Sequence, residues 1–133
     1  MEHAGIYIHI PFCRSRCSYC DFATGMYEAE LAERYVRALA KEIGNWNEIE
    51  SPFAVDTVYF GGGTPSLLTP AQIKRILKPV HGRFEILDGA EVTMEMNPAS
   101  VSSPDELSNQ ELREFRQLGI NRASFGAQTF DDR

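Results

Sequence analysis

Short apolar segments alternate with amphipathic helical segments along the chain, and this alternation constrains the fold more than any other feature of the sequence. Four segments have the apolar, β-branched or aromatic character of buried strands. They lie at about residues 6–10, 57–60, 92–96 and 122–125. Strands separated by helices form parallel sheets with right-handed crossovers. The sequence therefore predicts an α/β fold whose functional loops follow the carboxyl ends of its strands.

Three amphipathic segments are predicted to form the helices between these strands. They lie at about residues 28–46, 70–78 and 109–118. The second helix begins with a capping box formed by Thr69 and Gln72. We expect it to end near Lys78, because Pro79 lacks the N–H that a helix interior needs. The third helix is expected to stop at Gly119.

The chain has three cysteines, and all of them follow the first predicted strand as Cys13, Cys17 and Cys20. An odd number of cysteines without a secretory signal argues against a disulfide framework. The spacing C-x3-C-x2-C is instead typical of a [4Fe-4S] cluster in which one iron has no protein ligand. Zinc is the weaker alternative, in which His9 completes a set of four ligands.

The second predicted strand runs directly into the sequence GGGTPS at residues 61–66. Three consecutive glycines allow a ligand to approach the backbone closely. The lysine and the following hydroxyl of a phosphate-binding loop are absent from this segment, and its glycine spacing does not fit a dinucleotide-binding turn. The glycines thus predict that a ligand approaches the backbone closely, but they do not identify that ligand.

Glu95 lies in the third predicted strand, where its neighbours are mostly apolar. A carboxylate is costly to bury unless it meets a charge or hydrogen-bond donors, so Glu95 is expected to have a partner. The alternatives are a ligand and a structural ion pair with an arginine such as Arg122.

The order of these motifs resembles that of the radical S-adenosylmethionine (SAM) superfamily. The resemblance rests on the cysteine triplet and on four stretches at residues 7–13, 61–66, 91–98 and 124–130. Within the superfamily, this set is similar to the oxygen-independent coproporphyrinogen III oxidase group. The resemblance implies a partial TIM-type (βα)6 barrel, of which this chain covers about four strands and three helices. We expect residues 1–133 to be the N-terminal part of that core domain, with the remainder of the barrel and a C-terminal domain outside this sequence.

The resemblance also implies which residues bind the cofactors. Cys13, Cys17 and Cys20 are expected to hold the cluster, and SAM is expected to chelate its open iron. The positions that match SAM contacts are Tyr7, Tyr19, Gly62, Gly63, Thr64, Glu95 and Gln128. Tyr7 and Tyr19 have simpler alternatives as an inward strand residue and a core aromatic, and the match at Gln128 is weaker because turns often carry glutamine. The sequence assigns no catalytic residue.

One departure from the oxidase pattern bears on function. The oxidases carry a further cysteine two positions after the third, where this chain has Phe22. The ending Cys20-Asp21-Phe22 resembles the HemW-type haem chaperone branch, for which the family picture is haem binding and delivery to respiratory enzymes. We therefore expect a haem chaperone that binds SAM and a [4Fe-4S] cluster, with haem bound by the full-length protein. The alternatives are an oxygen-independent coproporphyrinogen III oxidase and a noncatalytic zinc or iron-sulfur binding module.

Composition limits the kinds of partner and the cellular location that we expect for this protein. The formal net charge of −6 argues against nonspecific nucleic-acid binding, for which a basic surface supplies most of the affinity. No apolar run in the sequence approaches the length of a transmembrane helix. We expect a cytoplasmic protein whose partners are SAM, haem or porphyrin, a reductant protein and a haem-receiving respiratory enzyme.

Overall fold

The computed structural model describes residues 3–13, 25–26, 28–46, 54–96 and 109–125. The strands are β1 (His3–Ile10), β2 (Phe12–Cys13), β3 (Gly25–Met26), β4 (Ala54–Gly62), β5 (Glu85–Met96) and β6 (Arg122–Phe125). The helices are α1 (Ala29–Gly44), α2 (Pro70–Arg83) and α3 (Asn109–Gln117), with a single 3₁₀ turn at Pro65–Leu67. In this part of the chain, no helix is both long and apolar enough to cross a membrane.

The main sheet has the order β1-β4-β5-β6, and each neighbouring pair is parallel. This arrangement confirms the predicted α/β class and the four predicted strands. The short strands β2 and β3 form a separate parallel pair, which the sequence pattern did not predict.

One face of the main sheet packs against the helices in a single apolar core. Alternate strand residues such as Ile8, Phe60 and Met94 are almost fully buried on this face. They pack with helix residues such as Val36 and Ile76, so the hydrophobic effect holds the two layers together. Because strand side chains alternate between faces, the residues between them project to the opposite face. That opposite face carries the polar and aromatic side chains of the candidate site.

The third strand of the main sheet is longer than predicted, because β5 begins at Glu85 rather than near residue 92. The pairing of β4 with β5 shifts register between Val55 and Thr57, so β5 follows β4 in two stretches. Asn121 stabilises the same region, where its side chain accepts a hydrogen bond from the Val92 N–H and donates one to the Ala90 carbonyl, both at 2.9 Å. These irregular contacts have no periodic signal in the sequence.

The prediction that Pro79 ends the second helix is wrong, because α2 continues to Arg83. A proline in a helix interior costs about 3 kcal/mol. A helix that ended at Lys78 would withdraw Val80 from the core, where its side chain is fully buried. Burying a valine side chain is worth about 1.5–3 kcal/mol, which is comparable with the proline penalty. Burial of Val80 thus offsets much of the cost of Pro79, and the helix continues.

The capping box predicted at the start of α2 is present, and its contribution to stability can be tested directly. Thr69 Oγ1 accepts a hydrogen bond from the Gln72 N–H at 3.1 Å, and Gln72 Oε1 accepts one from the Thr69 N–H at 2.9 Å. Thr69→Ala is expected to lower the free energy of unfolding by about 1 kcal/mol, measured by urea denaturation. Thr69→Ser keeps the hydroxyl and serves as the control. Equal losses in the two variants would assign the effect to the threonine methyl group instead.

Candidate functional site

The carboxyl ends of the parallel strands lie along one edge of the main sheet, where ligands bind in folds of this kind. The chain leaves β1 toward Cys13, leaves β4 through Gly62 and Gly63, and nears the end of β5 at Glu95. The structure therefore brings together five of the predicted cofactor-binding residues. They are Tyr7, Gly62, Gly63, Thr64 and Glu95.

The other predicted ligands fall outside the described residues. They are Cys17, Cys20, Tyr19 and Gln128. The backbone of Cys13 is described, and in the β2–β3 ladder it pairs with Met26. This pairing holds the two ends of the segment that contains the other two cysteines next to each other.

The glycine loop packs directly on the strand that leads to Cys13. The Gly63 N–H donates to the Ile10 carbonyl and the Thr64 N–H donates to the Phe12 carbonyl, both at 2.7 Å. A Cβ atom on Gly63 would overlap the Phe12 carbonyl oxygen and lie 2.9 Å from the Phe12 nitrogen. Gly63 therefore permits a close approach between two segments of the protein itself, whereas the sequence suggested an approach by a ligand.

The carboxylate of Glu95 is held at both of its oxygens. Tyr59 donates its hydroxyl to Glu95 Oε2, and the Gly62 N–H donates to Glu95 Oε1, each at 2.9 Å. Arg122, the structural partner considered from the sequence, instead pairs with Glu91 at 2.8 Å. The ion-pair alternative with Arg122 is therefore wrong, and the carboxylate meets neutral donors at the carboxyl edge of the sheet.

Tyr7 and Tyr59 are cross-strand neighbours on β1 and β4. Their rings stack, with centroids 5.8 Å apart and an interplanar angle of 13°. Partial burial and then the nearby Glu95 carboxylate raise the pKa of Tyr7. Burial and then the hydrogen bond to Glu95 raise the pKa of Tyr59. Both phenols therefore stay neutral and keep their donor hydrogens at physiological pH.

Gly61 leaves the space that the carboxylate occupies. A Cβ atom at this position would lie 2.8 Å from each of Glu95 Oε1, Tyr59 Cε1 and the Tyr7 hydroxyl oxygen. The Glu95 carboxylate, the Tyr59 ring and the Tyr7 hydroxyl therefore converge over Gly61. A carboxylate that already accepts hydrogen bonds from neutral donors can accept further ones from an ammonium group.

Tyr59 is a contributor that the sequence reasoning did not single out, and Gly61 was noted only as part of the glycine run. The alternation of side chains along β4 was the sequence pattern that could have identified them. Val58 and Phe60 are buried on the helix side, so the residues between and after them face the other way. Identifying their neighbours also required the register between β4 and β5, which cannot be obtained from one strand alone.

Comparison with known proteins identifies the family of this chain. The family model described as the radical SAM superfamily matches residues 7–133. The chain therefore belongs to the radical SAM superfamily.

Within it, the chain is similar to the protein named Heme chaperone HemW. It is 40% identical over 132 residues to the Synechocystis sp. protein, covering 95% of this chain and 30% of that relative. It is 34% identical over 128 residues to the Escherichia coli protein, covering 96% of this chain and 32% of that relative.

A solved structure described as coproporphyrinogen III oxidase (HemN) from Escherichia coli, a radical SAM enzyme, matches this fold with a TM-score of 0.81. The two chains are 31% identical, and the match covers 98% of this chain and 29% of that one. The four parallel strands and three helices described above correspond to part of the radical SAM fold. This chain thus spans about a third or less of the length of the proteins that it matches.

Proposed function

We propose that this chain is the N-terminal part of the radical SAM core domain of a HemW-like haem chaperone. Cys13, Cys17 and Cys20 hold a [4Fe-4S] cluster in this proposal, and SAM binds beside it. The observation that supports SAM binding most directly is the fixed carboxylate of Glu95, which lies over the glycine loop. The same loop is hydrogen-bonded to the segment that leads to Cys13. The packing of the loop on this segment supports a SAM position next to the cluster.

In this proposal, different residues bind different parts of the cofactors. A cluster bound by three thiolates supplies one open iron that SAM can chelate. In the proposal, Glu95 accepts hydrogen bonds from the amino group of SAM, and Gly62 and Thr64 bound the space around its amino-acid end. Tyr7, more than half exposed at 59%, offers an aromatic surface to the ligand. Tyr19 and Gln128 complete the proposed set, and Gly63 keeps the loop in place.

The choice of chaperone over oxidase rests on two observations. Phe22 occupies the position at which the oxidases carry a further cysteine. The relatives from Synechocystis and Escherichia coli are both named Heme chaperone HemW. By this proposal the full-length protein works in the cytoplasm, receives electrons from a reductant protein and passes haem to a respiratory enzyme. Oxygen-independent coproporphyrinogen III oxidase is the second candidate, supported by the HemN fold match.

The two candidates predict opposite results for the full-length, cluster-loaded protein under anaerobic conditions. We expect haem titration to give a saturable change in the haem absorption spectrum. We expect no conversion of coproporphyrinogen III to protoporphyrinogen IX with SAM and a reductant present. Phe22→Cys is the matched variant, and it is also expected to lack the conversion, because substrate positioning depends on many contacts. Sustained, SAM-dependent decarboxylation by the unaltered protein would establish the oxidase instead.

A further inference from the structure

Tyr59 lies at the centre of the sheet face that points away from the helices. On β4 it is flanked in register by Tyr7 of β1 and Thr93 of β5. Its ring stacks on that of Tyr7, and its hydroxyl donates a hydrogen bond to Glu95. A tyrosine has two side-chain torsions, so these contacts leave its hydroxyl little freedom. Tyr59 is therefore a rigid donor at a defined place.

The Glu95 side chain is rigid only because of its partners. A free glutamate side chain loses considerable rotamer entropy when it is held in one geometry. Here Tyr59 fixes Oε2 and the Gly62 N–H fixes Oε1. A carboxylate has about four lone-pair sites, so two sites remain for an incoming donor. The carboxylate is thus already ordered before a ligand binds, so binding does not include the entropic cost of ordering it.

Gly61 makes this arrangement sterically possible. The carboxylate reaches from β5 across β4 to the Gly62 nitrogen, and any side chain at Gly61 would obstruct that path. The position that pairs with Gly61 on β1 is His9, whose side chain projects to the same face. Among the residues that the structure describes, Tyr59 is the side chain that donates a hydrogen bond to the Glu95 carboxylate.

We propose that Tyr59 is a positioning residue for SAM, which acts by fixing the Glu95 carboxylate in the orientation that receives the amino group. This inference rests on the proposed function and deepens it, because it names the side chain that prepares the ligand-binding carboxylate. Tyr59 needs no contact with SAM itself. Its contribution depends on Glu95, and this dependence can be measured.

The test compares SAM dissociation constants of the full-length, cluster-loaded protein, measured by anaerobic titration calorimetry. Tyr59→Phe removes only the hydroxyl and keeps the ring that stacks on Tyr7. Because hydrogen bonds to charged groups are stronger than neutral ones, we expect the dissociation constant to rise about tenfold. Glu95→Gln is expected to raise it by at least as much, since the ammonium loses its anionic partner.

A double-mutant cycle separates positioning from a structural role. If Tyr59 acts through Glu95, adding Tyr59→Phe to Glu95→Gln should change the dissociation constant by less than about twofold. Tyr35→Phe is the matched control, because it removes a tyrosine hydroxyl that donates to the His9 carbonyl. It is expected to lower the free energy of unfolding while leaving SAM affinity within about twofold.

The outcomes distinguish this inference from the function on which it rests. An unchanged SAM affinity in Glu95→Gln would overturn the proposed carboxylate site and the role of Tyr59 with it. Weaker binding in Glu95→Gln but normal binding in Tyr59→Phe would overturn the role of Tyr59 alone. A tenfold effect of Tyr59→Phe that persists in the Glu95→Gln background would show that Tyr59 acts independently of the carboxylate, which also contradicts positioning.

Discussion

Gly63→Val is expected to lower the free energy of unfolding by about 3 kcal/mol and to deprive the protein of most of its cluster. The Cβ atom would overlap the Phe12 carbonyl oxygen and crowd the Phe12 nitrogen, and backbone atoms of a strand cannot move aside as a flexible side chain can. Relief requires the glycine loop to separate from the segment that leads to Cys13. Two hydrogen bonds of 2.7 Å, one to Ile10 and one to Phe12, would be lost or lengthened.

Gly89→Val is the matched control for this prediction. Gly89 lies in β5, is exposed, and has no heavy atom within 4 Å of the position of an added Cβ. Valine also favours strands, so this variant should retain both stability and cluster content. The measurements are anaerobic urea denaturation and the amounts of iron and sulfide per chain after reconstitution. Normal cluster content in Gly63→Val would show that the loop does not need to pack on Phe12 for the cysteines to bind iron.

Much of the fold was predictable because it depends on local patterns. The strand-helix alternation predicted the four strands of the parallel sheet, and the capping residue at Thr69 predicted the start of α2. The errors arose where distant contacts outweigh local preferences. Pro79 was expected to end a helix that the burial of Val80 extends to Arg83. The pairing of β2 with β3 joins residues that are separated by the cysteine segment, and no local pattern records it.

The candidate site was predictable in part for the same reason. The cost of burying a carboxylate predicted that Glu95 has a partner, and this argument needs only the strand on which Glu95 lies. The identity of that partner depended on the register between two strands. Tyr59 and the Gly62 amide come from β4, whereas Glu95 comes from β5, and the two strands are separated by α2 in the sequence. Arg122 was the plausible choice by residue type, but its nearest acid is Glu91.

The role of Gly63 shows how a motif can be recognised while its physical basis is misjudged. The sequence predicted close approach of a backbone at the glycines, and such an approach exists. It occurs between the loop and Phe12, within the protein. The glycine loop therefore packs against Ile10 and Phe12, the residues that lead to Cys13. For this reason we expect a substitution in the glycine loop to disturb the cysteine motif as well, although an entire helix separates the two motifs in the sequence.

Replacing Cys13, Cys17 or Cys20 by alanine is expected to lower the iron and sulfide content of the full-length protein at least tenfold. Loss of a residue that only supports a metal ligand typically costs about 10–100-fold in metal affinity, so loss of a thiolate ligand should cost no less. A [4Fe-4S] cluster held by three thiolates has no spare protein ligand to replace one that is missing. The measurements are iron, sulfide and zinc analysis and the broad visible absorption of the cluster after anaerobic reconstitution.

His9→Ala is the control that separates the cluster from a zinc site. His9 lies on β1, pairs with Gly61 in the sheet register, and precedes Cys13 by four residues. If three cysteines hold an iron-sulfur cluster, removing the imidazole should leave iron and sulfide near their normal amounts. If His9 completes a zinc site, His9→Ala and the cysteine variants should lose metal equally, and the unaltered protein should contain zinc without sulfide. Because both sites share the same thiolates, sulfide content and the response to His9→Ala are the two observations that tell them apart.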